Sequence, residues 1–179
     1  SAQNLSLKKY WSAEERIKPE LICNFEEAKS KLSELLTSAV NYQLVSDVPY
    51  GTFLSGGADS SLVTAIAQKI TGNPIKTFSI GFYEEDYDEL RYAKLVADKF
   101  ETDHTEFKVR PNAVEVLPKL VWHYNEPFAD PSAIPSYYVS KLAREHVTVV
   151  LNGDGGDESF AGYDRYAANE LAMRFEKIP

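Results

Sequence analysis

The chain has 179 residues, of which 44% are hydrophobic and 26% charged, and its formal net charge is −8. This length and composition predict a globular domain with a hydrophobic core of its own. The acidic balance argues against nucleic-acid binding through a basic surface, and no apolar stretch approaches the roughly 20 residues of a membrane span. Cys23 is the single cysteine, which excludes an internal disulfide and agrees with a cytoplasmic location.

Hydrophobic periodicity predicts helices that alternate with short β-rich strands. Residues 1–23 have few periodic apolar positions and are predicted to form a linker or arm. A capping box at Asn24 and Glu27 marks the start of the first helix, and Gly72 closes the second. The predicted elements are, in chain order, a helix over 24–44, a strand over 48–54, a helix to residue 71, a strand over 75–80, a helix over 88–100, a strand over 103–109, helices over 111–124 and 137–145, and a strand over 147–151.

Several details of these elements can be predicted as well. Segment 81–88 is expected to be a loop whose last residue, Asp88, caps a helix with Leu95 on its inward face. Pro118 is expected to perturb the helix that contains it. The last strand, 147–151, is an unbroken apolar run of the kind that is buried on both faces. Helices alternating with such strands indicate an α/β fold, a three-layer sandwich with a parallel, doubly wound sheet.

The segment Leu-Ser-Gly-Gly-Ala-Asp-Ser-Ser at residues 54–61 lies between a predicted strand and a predicted helix. Backbone N–H groups freed by Gly56 and Gly57 can approach phosphate oxygens, and the helix N-terminus adds favourable partial charge. The serines supply hydroxyl donors, and Asp59 fits there if it holds a metal ion that the phosphates also contact. No Gly-Lys-Ser/Thr follows the glycines, so this is not the lysine-bearing nucleotide loop. A plain glycine-rich turn is the alternative.

A second polar segment, Asn-Gly-Asp-Gly-Gly-Asp-Glu at residues 152–158, follows the last predicted strand. Ligands in open α/β sheets bind outside the carboxyl ends of strands, so this segment and residues 54–61 are expected to face each other across one cleft. Asp157 is predicted to be a second metal-holding carboxylate opposite Asp59, with Mg²⁺ bridging the phosphates between them. An acidic surface turn is the alternative.

These motifs resemble those of known enzymes. Residues 54–61 resemble the SGGxDS pyrophosphate loop of the N-type ATP pyrophosphatases. From about Tyr10 onward, the chain resembles the synthetase domain of glutamine-dependent asparagine synthetases, and the matching segments are Leu54 to Ser61, Thr77 to Phe82, Asp88-Glu89, His104 and Leu151 to Tyr166. The resemblance implies a fold of the adenine-nucleotide α-hydrolase type. It also implies a ligase that activates a carboxylate as an acyl-adenylate, releases pyrophosphate and forms an amide with glutamine-derived ammonia.

The resemblance implies roles for individual residues. Asp154 would act in adenylate formation together with Asp59 and Asp157, and the last two would hold Mg²⁺. Asp154 stands where the asparagine-making enzymes have a glutamate, and the missing methylene changes its reach by about 1.5 Å. Segment 125–132 also differs from that of well-known asparagine makers, so the acceptor carboxylate stays open. ATP would be bound by Leu54, Ser55, Gly56, Gly57, Asp59, Ser60, Ser61, Ile80, Asn152 and Gly153.

The resemblance also implies a domain organisation and partners. Residues 1–23 would be the arm from a missing glutaminase domain, and residues 24–179 an ATP-pyrophosphatase synthetase domain truncated at its C-terminus. The expected ligands are ATP, Mg²⁺, a small carboxylate and ammonia. A homodimer is possible, and neither nucleic acid nor a membrane is expected as a partner. The alternatives are a β-lactam-synthetase-like ring closure and a nucleotide-binding module without turnover. The three scattered histidines predict no zinc site, and His104 is expected to be a packing residue.

Overall fold

The structure is a computed structural model that describes residues 6–12, 14–16, 24–83 and 89–175. The predicted cap at Asp88, the single cysteine at position 23 and residues 84–87 of the predicted loop lie outside the described residues. The chain separates into two compact units, residues 1–35 and residues 36–179. In the first unit, the 3-10 turn Glu14–Arg16 precedes a helix that begins at Phe25.

The described residues form regular elements close to those predicted. The amide of Glu27 donates to the side-chain oxygen of Asn24 at 3.1 Å, which confirms the predicted helix cap. The elements are α1 (Phe25–Gln43), β1 (Tyr50–Phe53), α2 (Ala58–Thr71), β2 (Lys76–Phe82), α3 (Leu90–Phe100), β3 (Asp103–Val109), α4 (Ala113–Tyr124), α5 (Ala133–Ala143), β4 (Val149–Leu151), α6 (Gly156–Phe160) and α7 (Asp164–Phe175).

The strands of the second unit form one parallel sheet in the order β3-β2-β1-β4. Strand β1 is central, because the chain first moves outward through β2 to β3 and then returns to the other side of β1. The direction of strand addition therefore reverses between β1 and β4. Such a reversal point is where open α/β sheets leave a crevice at the carboxyl ends of their strands.

Helices cover both faces of this sheet, because alternate strand residues point to opposite sides. On one face, Ala67 of α2 packs against Val40, and Tyr50 of β1 joins the same cluster. On the other face, Phe78 of β2 packs against Val139 of α5. The predicted three-layer α/β sandwich with a parallel, doubly wound sheet is confirmed. No helix among the described residues is both long enough and apolar enough to cross a lipid bilayer.

Three strands differ from their predictions. Strand β1 begins two residues later and ends one residue earlier than the predicted 48–54. Strand β2 continues to Phe82 because Gly81 pairs with Lys108 of β3, so the loop begins two residues later than predicted. Strand β4 is shorter than predicted, and the expectation that it is buried on both faces is wrong, since Val149 is 41% exposed. Its apolar run lies at the edge of the described sheet, where only one neighbouring strand covers it.

Three helical predictions also need correction. Leu95 is 63% exposed rather than buried, because the buried stripe of α3 runs through Leu90, Ala93 and Ala97. Helix α5 begins at residue 133, four residues earlier than predicted, because Pro135 lies in its first turn, where a missing N–H costs nothing. Pro118 is accommodated within a continuous α4. Helices α6 and α7 were not predicted.

Candidate functional site

The loop after β1 is held together by its own serine hydroxyls. The amide of Ser55 donates to Oγ of Ser60 at 3.2 Å, and the two hydroxyl oxygens lie 2.9 Å apart. The amide of Gly57 in turn donates to Oγ of Ser55 at 3.2 Å. These short local bonds fix the backbone before any ligand binds, so the hydroxyls are already gathered at one place.

Helix α2 follows this loop directly, so the loop forms the N-terminal end of the helix. The first backbone bond of the helix runs from the amide of Ser61 to the carbonyl oxygen of Gly57 at 3.1 Å. The amides of Ala58, Asp59 and Ser60 therefore have no acceptor within the helix. Oγ of Ser61 is buried and has no hydrogen-bond partner among the described residues. Unpaired amides and a hydroxyl at a helix N-terminus favour an anion.

Gly56 allows the loop to approach α3 closely. Its φ is +85°, in the left-handed region, and a Cβ atom placed there would lie 2.5 Å from the backbone nitrogen of Ala93 and from Cβ of Tyr92. Only glycine fits both the conformation and the space. Because residue 56 has no side chain, the loop can pack directly against the backbone of α3.

The loop after β4 carries the predicted acidic residues. The side-chain amide of Asn152 donates to Oδ2 of Asp154 at 2.7 Å, and the Asp154 amide donates back to Oδ1 of Asn152 at 3.3 Å. Gly155 then turns the chain with a φ of +88° into the short helix α6. This pair of bonds holds the Asp154 carboxylate, which is exposed, in one orientation.

The two loops meet at Asp59. A Cβ atom on Gly153 would lie 2.8 Å from Cβ of Asp59 and 2.8 Å from the amide nitrogen of Ser60. A Cβ atom on Gly156 would lie less than 3.0 Å from the Asp59 carboxylate. The structure therefore brings residues 54–61 and 152–158 into direct contact at the reversal point of the sheet, with Asp59 enclosed between two glycines.

Asp157 lies on α6, immediately after the glycine that contacts Asp59. Its carbonyl oxygen accepts hydrogen bonds from the amides of Ala161 and Gly162, which fixes its backbone. Next to it, the Tyr163 hydroxyl donates to Oε1 of Glu158 at 2.7 Å. This bond holds the pKa of Glu158 below its usual value and raises the pKa of Tyr163. Asp59 and Asp157 are both half-buried, which suits groups that exchange water for a ligand.

The two residues predicted to contact adenine lie on different faces of the sheet. Leu54 is 1% exposed and packs against Ala93 and Ala97 of α3. Ile80 belongs to the cluster on the α5 side. The structure does not bring these two side chains together, and their adenine contacts stay predictions.

A metal ion at this site would need ligands from outside the protein. Among the described residues, no group of three or more His, Cys, Asp or Glu side chains is placed to hold a metal ion. Magnesium prefers octahedral oxygen coordination and commonly takes one or two carboxylates together with phosphate oxygens and water. Asp59 in the first turn of α2 and Asp157 in the acidic loop are two half-buried carboxylates of the kind that this ligand set uses.

His104 is outside this site. Its Nδ1 lies 2.8 Å from Oγ1 of Thr77, and its side chain is 10% exposed. Burial lowers the pKa of His104, against the opposing effect of the Glu106 carboxylate, whose oxygen is 3.7 Å from Nε2. This environment agrees with the expected packing role.

The lowered pKa of His104 predicts a pH dependence of stability. The pKa of the histidine in the unfolded chain is about 6.5. As the pH falls below this value, His104 is protonated more readily in the unfolded chain than in the folded one, so the free energy of unfolding decreases. We expect the free energy of unfolding of the parent to decrease between pH 8 and pH 5.5 relative to that of His104→Gln. Urea unfolding at several pH values measures this difference, and equal pH slopes for the two proteins would contradict it.

Gly162 is a residue of this region that sequence reasoning missed. A Cβ atom there would collide with the Asp157 carboxylate, five residues earlier in the chain. A glycine after a helix is ordinarily explained by the turn that follows it. The sequence carries no signal that this one faces a side chain of the acidic loop.

Comparison with known proteins identifies relatives of the chain. The sequence profile of the family described as Asparagine synthase matches residues 31–179. A putative asparagine synthetase [glutamine-hydrolyzing] 2 of Methanocaldococcus jannaschii is 49% identical over 158 residues, which cover 84% of this chain and 30% of that protein. Asparagine synthetase [glutamine-hydrolyzing] 1 of Bacillus subtilis is 41% identical over 150 residues, covering 83% of this chain and 24% of that protein.

The chain thus spans about a quarter to a third of the length of these curated relatives. Among solved structures, an NH3-dependent NAD synthetase from Campylobacter jejuni matches with a TM-score of 0.46 and 12% identity, covering 78% of this chain and 61% of that one.

Proposed function

Because this chain belongs to the asparagine synthase family, we propose that it is the ATP-binding synthetase part of an amide-forming ligase. The observation that carries the proposal is the contact between the loop after β1 and the acidic loop after β4 at Asp59. That contact supports the proposal, because helix N-termini favour anions and the N-terminus of α2 meets the acidic loop at the sheet position where open α/β folds bind nucleotides. Residues 24–179 would form this synthetase domain and residues 1–23 its connecting arm.

In this proposal, the departing pyrophosphate lies over the N-terminus of α2. The unpaired amides of Ala58, Asp59 and Ser60 would donate to its oxygens, and the buried hydroxyl of Ser61 would add a donor that has no other partner. The paired hydroxyls of Ser55 and Ser60 would exchange their mutual bond for phosphate oxygens. Donors fixed before the reaction stabilise charge that develops as the bond breaks, without the cost of reorganising them.

Mg²⁺ would supply positive charge that no lysine provides in this loop. Asp59 and Asp157 would hold it from the two sides of the loop contact, and oxygens of the nucleotide would complete its coordination. Gly153 and the backbone of Asn152 would close the nucleotide pocket, with Leu54 and Ile80 as the proposed contacts of the adenine ring.

The proposed reaction has two steps. An oxygen of the acceptor carboxylate attacks the α-phosphorus, the bond from the α-phosphorus to the bridging oxygen breaks, and pyrophosphate leaves. Ammonia then attacks the acyl carbon and AMP leaves, which gives the amide. Asp154, held by Asn152 beside the loop contact, would act in the first step. Ammonia would come from glutamine through a glutaminase domain, while a cytoplasmic location and a homodimer stay predictions.

The bond of ATP that breaks tests this proposal. We expect the full-length protein, given ATP, Mg²⁺, ammonia and a panel of carboxylates, to release AMP and pyrophosphate in step with the amide. Separation of the nucleotide products by chromatography measures this. Release of ADP and phosphate would overturn the proposed roles of residues 55–61. Formation of a lactam without ammonia would instead favour ring closure, and binding without products would favour a module that only binds nucleotide.

A further inference from the structure

Each of the two proposed metal-holding carboxylates lies against a glycine. A Cβ atom on Gly156 would lie 2.5 Å from Oδ2 and 2.8 Å from Oδ1 of Asp59, and closer still to the carboxyl carbon. A Cβ atom on Gly162 would lie 2.9 Å from the carboxyl carbon of Asp157 and would collide with its Oδ1. Real Cβ contacts are essentially never below 3.0 Å. The carboxylates thus occupy the space that a methyl group would need.

Backbone conformation does not explain these two glycines. The described glycines with positive φ are Gly56, Gly72 and Gly155, so Gly156 and Gly162 lie outside the left-handed region that requires glycine. The atoms that a Cβ at these positions would collide with are also mainly side-chain atoms rather than backbone atoms. At Gly156 the nearest atoms all belong to the Asp59 carboxyl group, and at Gly162 the nearest two belong to that of Asp157.

Gly153 provides the contrast within the same loop. There the nearest atoms include the amide nitrogen of Ser60 and the carbonyl carbon of Asp59, so a side chain would push the two loops apart. At Gly156 and Gly162 a methyl group would instead turn a carboxylate aside, because the end of an aspartate side chain moves by rotation about its own bonds. The expected consequence is a displaced ligand in a protein that still folds.

We propose that Gly156 and Gly162 are positioning residues that set the places of the Asp59 and Asp157 carboxylates. This inference rests on the proposed function, in which those carboxylates hold a divalent cation with the nucleotide phosphates. The backbone of Asp157 is already fixed by the amides of Ala161 and Gly162. The freedom left to its carboxylate is rotation of the side chain, and the missing Cβ at Gly162 decides which rotation is allowed.

The test measures cation binding directly. The full-length protein is saturated with α,β-methylene-ATP, which cannot release pyrophosphate, and titrated with Mn²⁺ while free Mn²⁺ is followed by electron paramagnetic resonance. We expect Gly156→Ala and Gly162→Ala each to weaken Mn²⁺ binding at least tenfold, as do changes to groups that orient metal ligands. Urea midpoints should stay near that of the parent. Ser159→Ala, which changes α6 without adding an atom, is the control and should bind like the parent.

Two further variants separate the inference from the proposed function. If Asp59→Asn and Asp157→Asn bind Mn²⁺ as the parent does, the metal assignment is wrong and the inference falls with it. If these variants lose binding while both alanine variants keep it, the metal assignment stands and the positioning role is overturned. Loss of folding in the alanine variants would also overturn it, since only side-chain ends should move. In the Asp157→Asn background, Gly162→Ala should have no further effect on binding.

Discussion

Replacement of Asp59 or Asp157 by asparagine is expected to abolish metal-dependent adenylation in the full-length protein. The amide keeps the size of the side chain but removes the negative charge that would face the cation and polyphosphate. Charge stabilisation by a catalytic metal is worth several kcal/mol, and each 1.4 kcal/mol is a factor of ten in rate. We therefore expect the rate of ATP–pyrophosphate exchange to fall about a thousandfold or more in either variant.

Folding should survive both changes. Asp59 and Asp157 are two of several acids near the contact between the loops, in a chain of net charge −8, so removal of a charge relieves repulsion. Equal or higher urea midpoints for the variants would show that the lost rate is not lost structure. Full exchange activity in either folded variant would make the assignment of that residue wrong.

Replacement of Gly56 by alanine is expected to produce the largest loss of stability in the loop after β1. A left-handed φ costs a side-chain-bearing residue about 1–2 kcal/mol. In addition, the new Cβ would lie 2.5 Å from the backbone nitrogen of Ala93, which cannot rotate away, and overpacking of this kind costs about 1–3 kcal/mol. The free energy of unfolding, measured in urea, should therefore fall by about 2–5 kcal/mol.

Gly72 provides the matched control for this prediction. It has a φ of +67° at the end of α2, but a Cβ there would meet no atom within 4 Å. Gly72→Ala therefore carries the backbone strain without the collision, and its loss should be about 1–2 kcal/mol. Equal losses for the two variants would show that the approach of Gly56 to α3 contributes nothing.

Much of the fold could be predicted because its signals are local. The strand 103–109 is confirmed at both ends, and the second helix ends at Thr71 with Gly72 as its cap. The predictions are wrong where tertiary contacts determine the end of a strand or the orientation of a side chain. Gly81 joins β2 because β3 offers it a partner, and Leu95 faces outward because small alanines fit the buried stripe of α3 better. The partner of Gly81 lies 27 residues further along the chain, and the orientation of Leu95 depends on which face of α3 meets the sheet.

For the candidate site, the sequence predicts which loops matter but not how they touch. Both loops follow strands, so their proximity at one edge of a parallel sheet could be expected. Their contact through Gly153 and Asp59 depends on β4 pairing beside β1, which no local pattern encodes. The distance of Gly162 from Asp157 is set by a chain reversal in a segment whose helices were not predicted.

The pairing of β1 with β4 links the folding of the sheet to the formation of the proposed nucleotide site. Gly51 pairs with Val150, so the two strands that precede the loop after β1 and the loop after β4 are separated by about 100 residues of chain. Pairings across such distances carry a large loop-closure cost and form slowly. Because the proposed site needs both loops, nucleotide binding should appear only when this pairing has formed. A nucleotide at about 100 times its Kd would then raise the free energy of unfolding of the folded protein by about 2.7 kcal/mol.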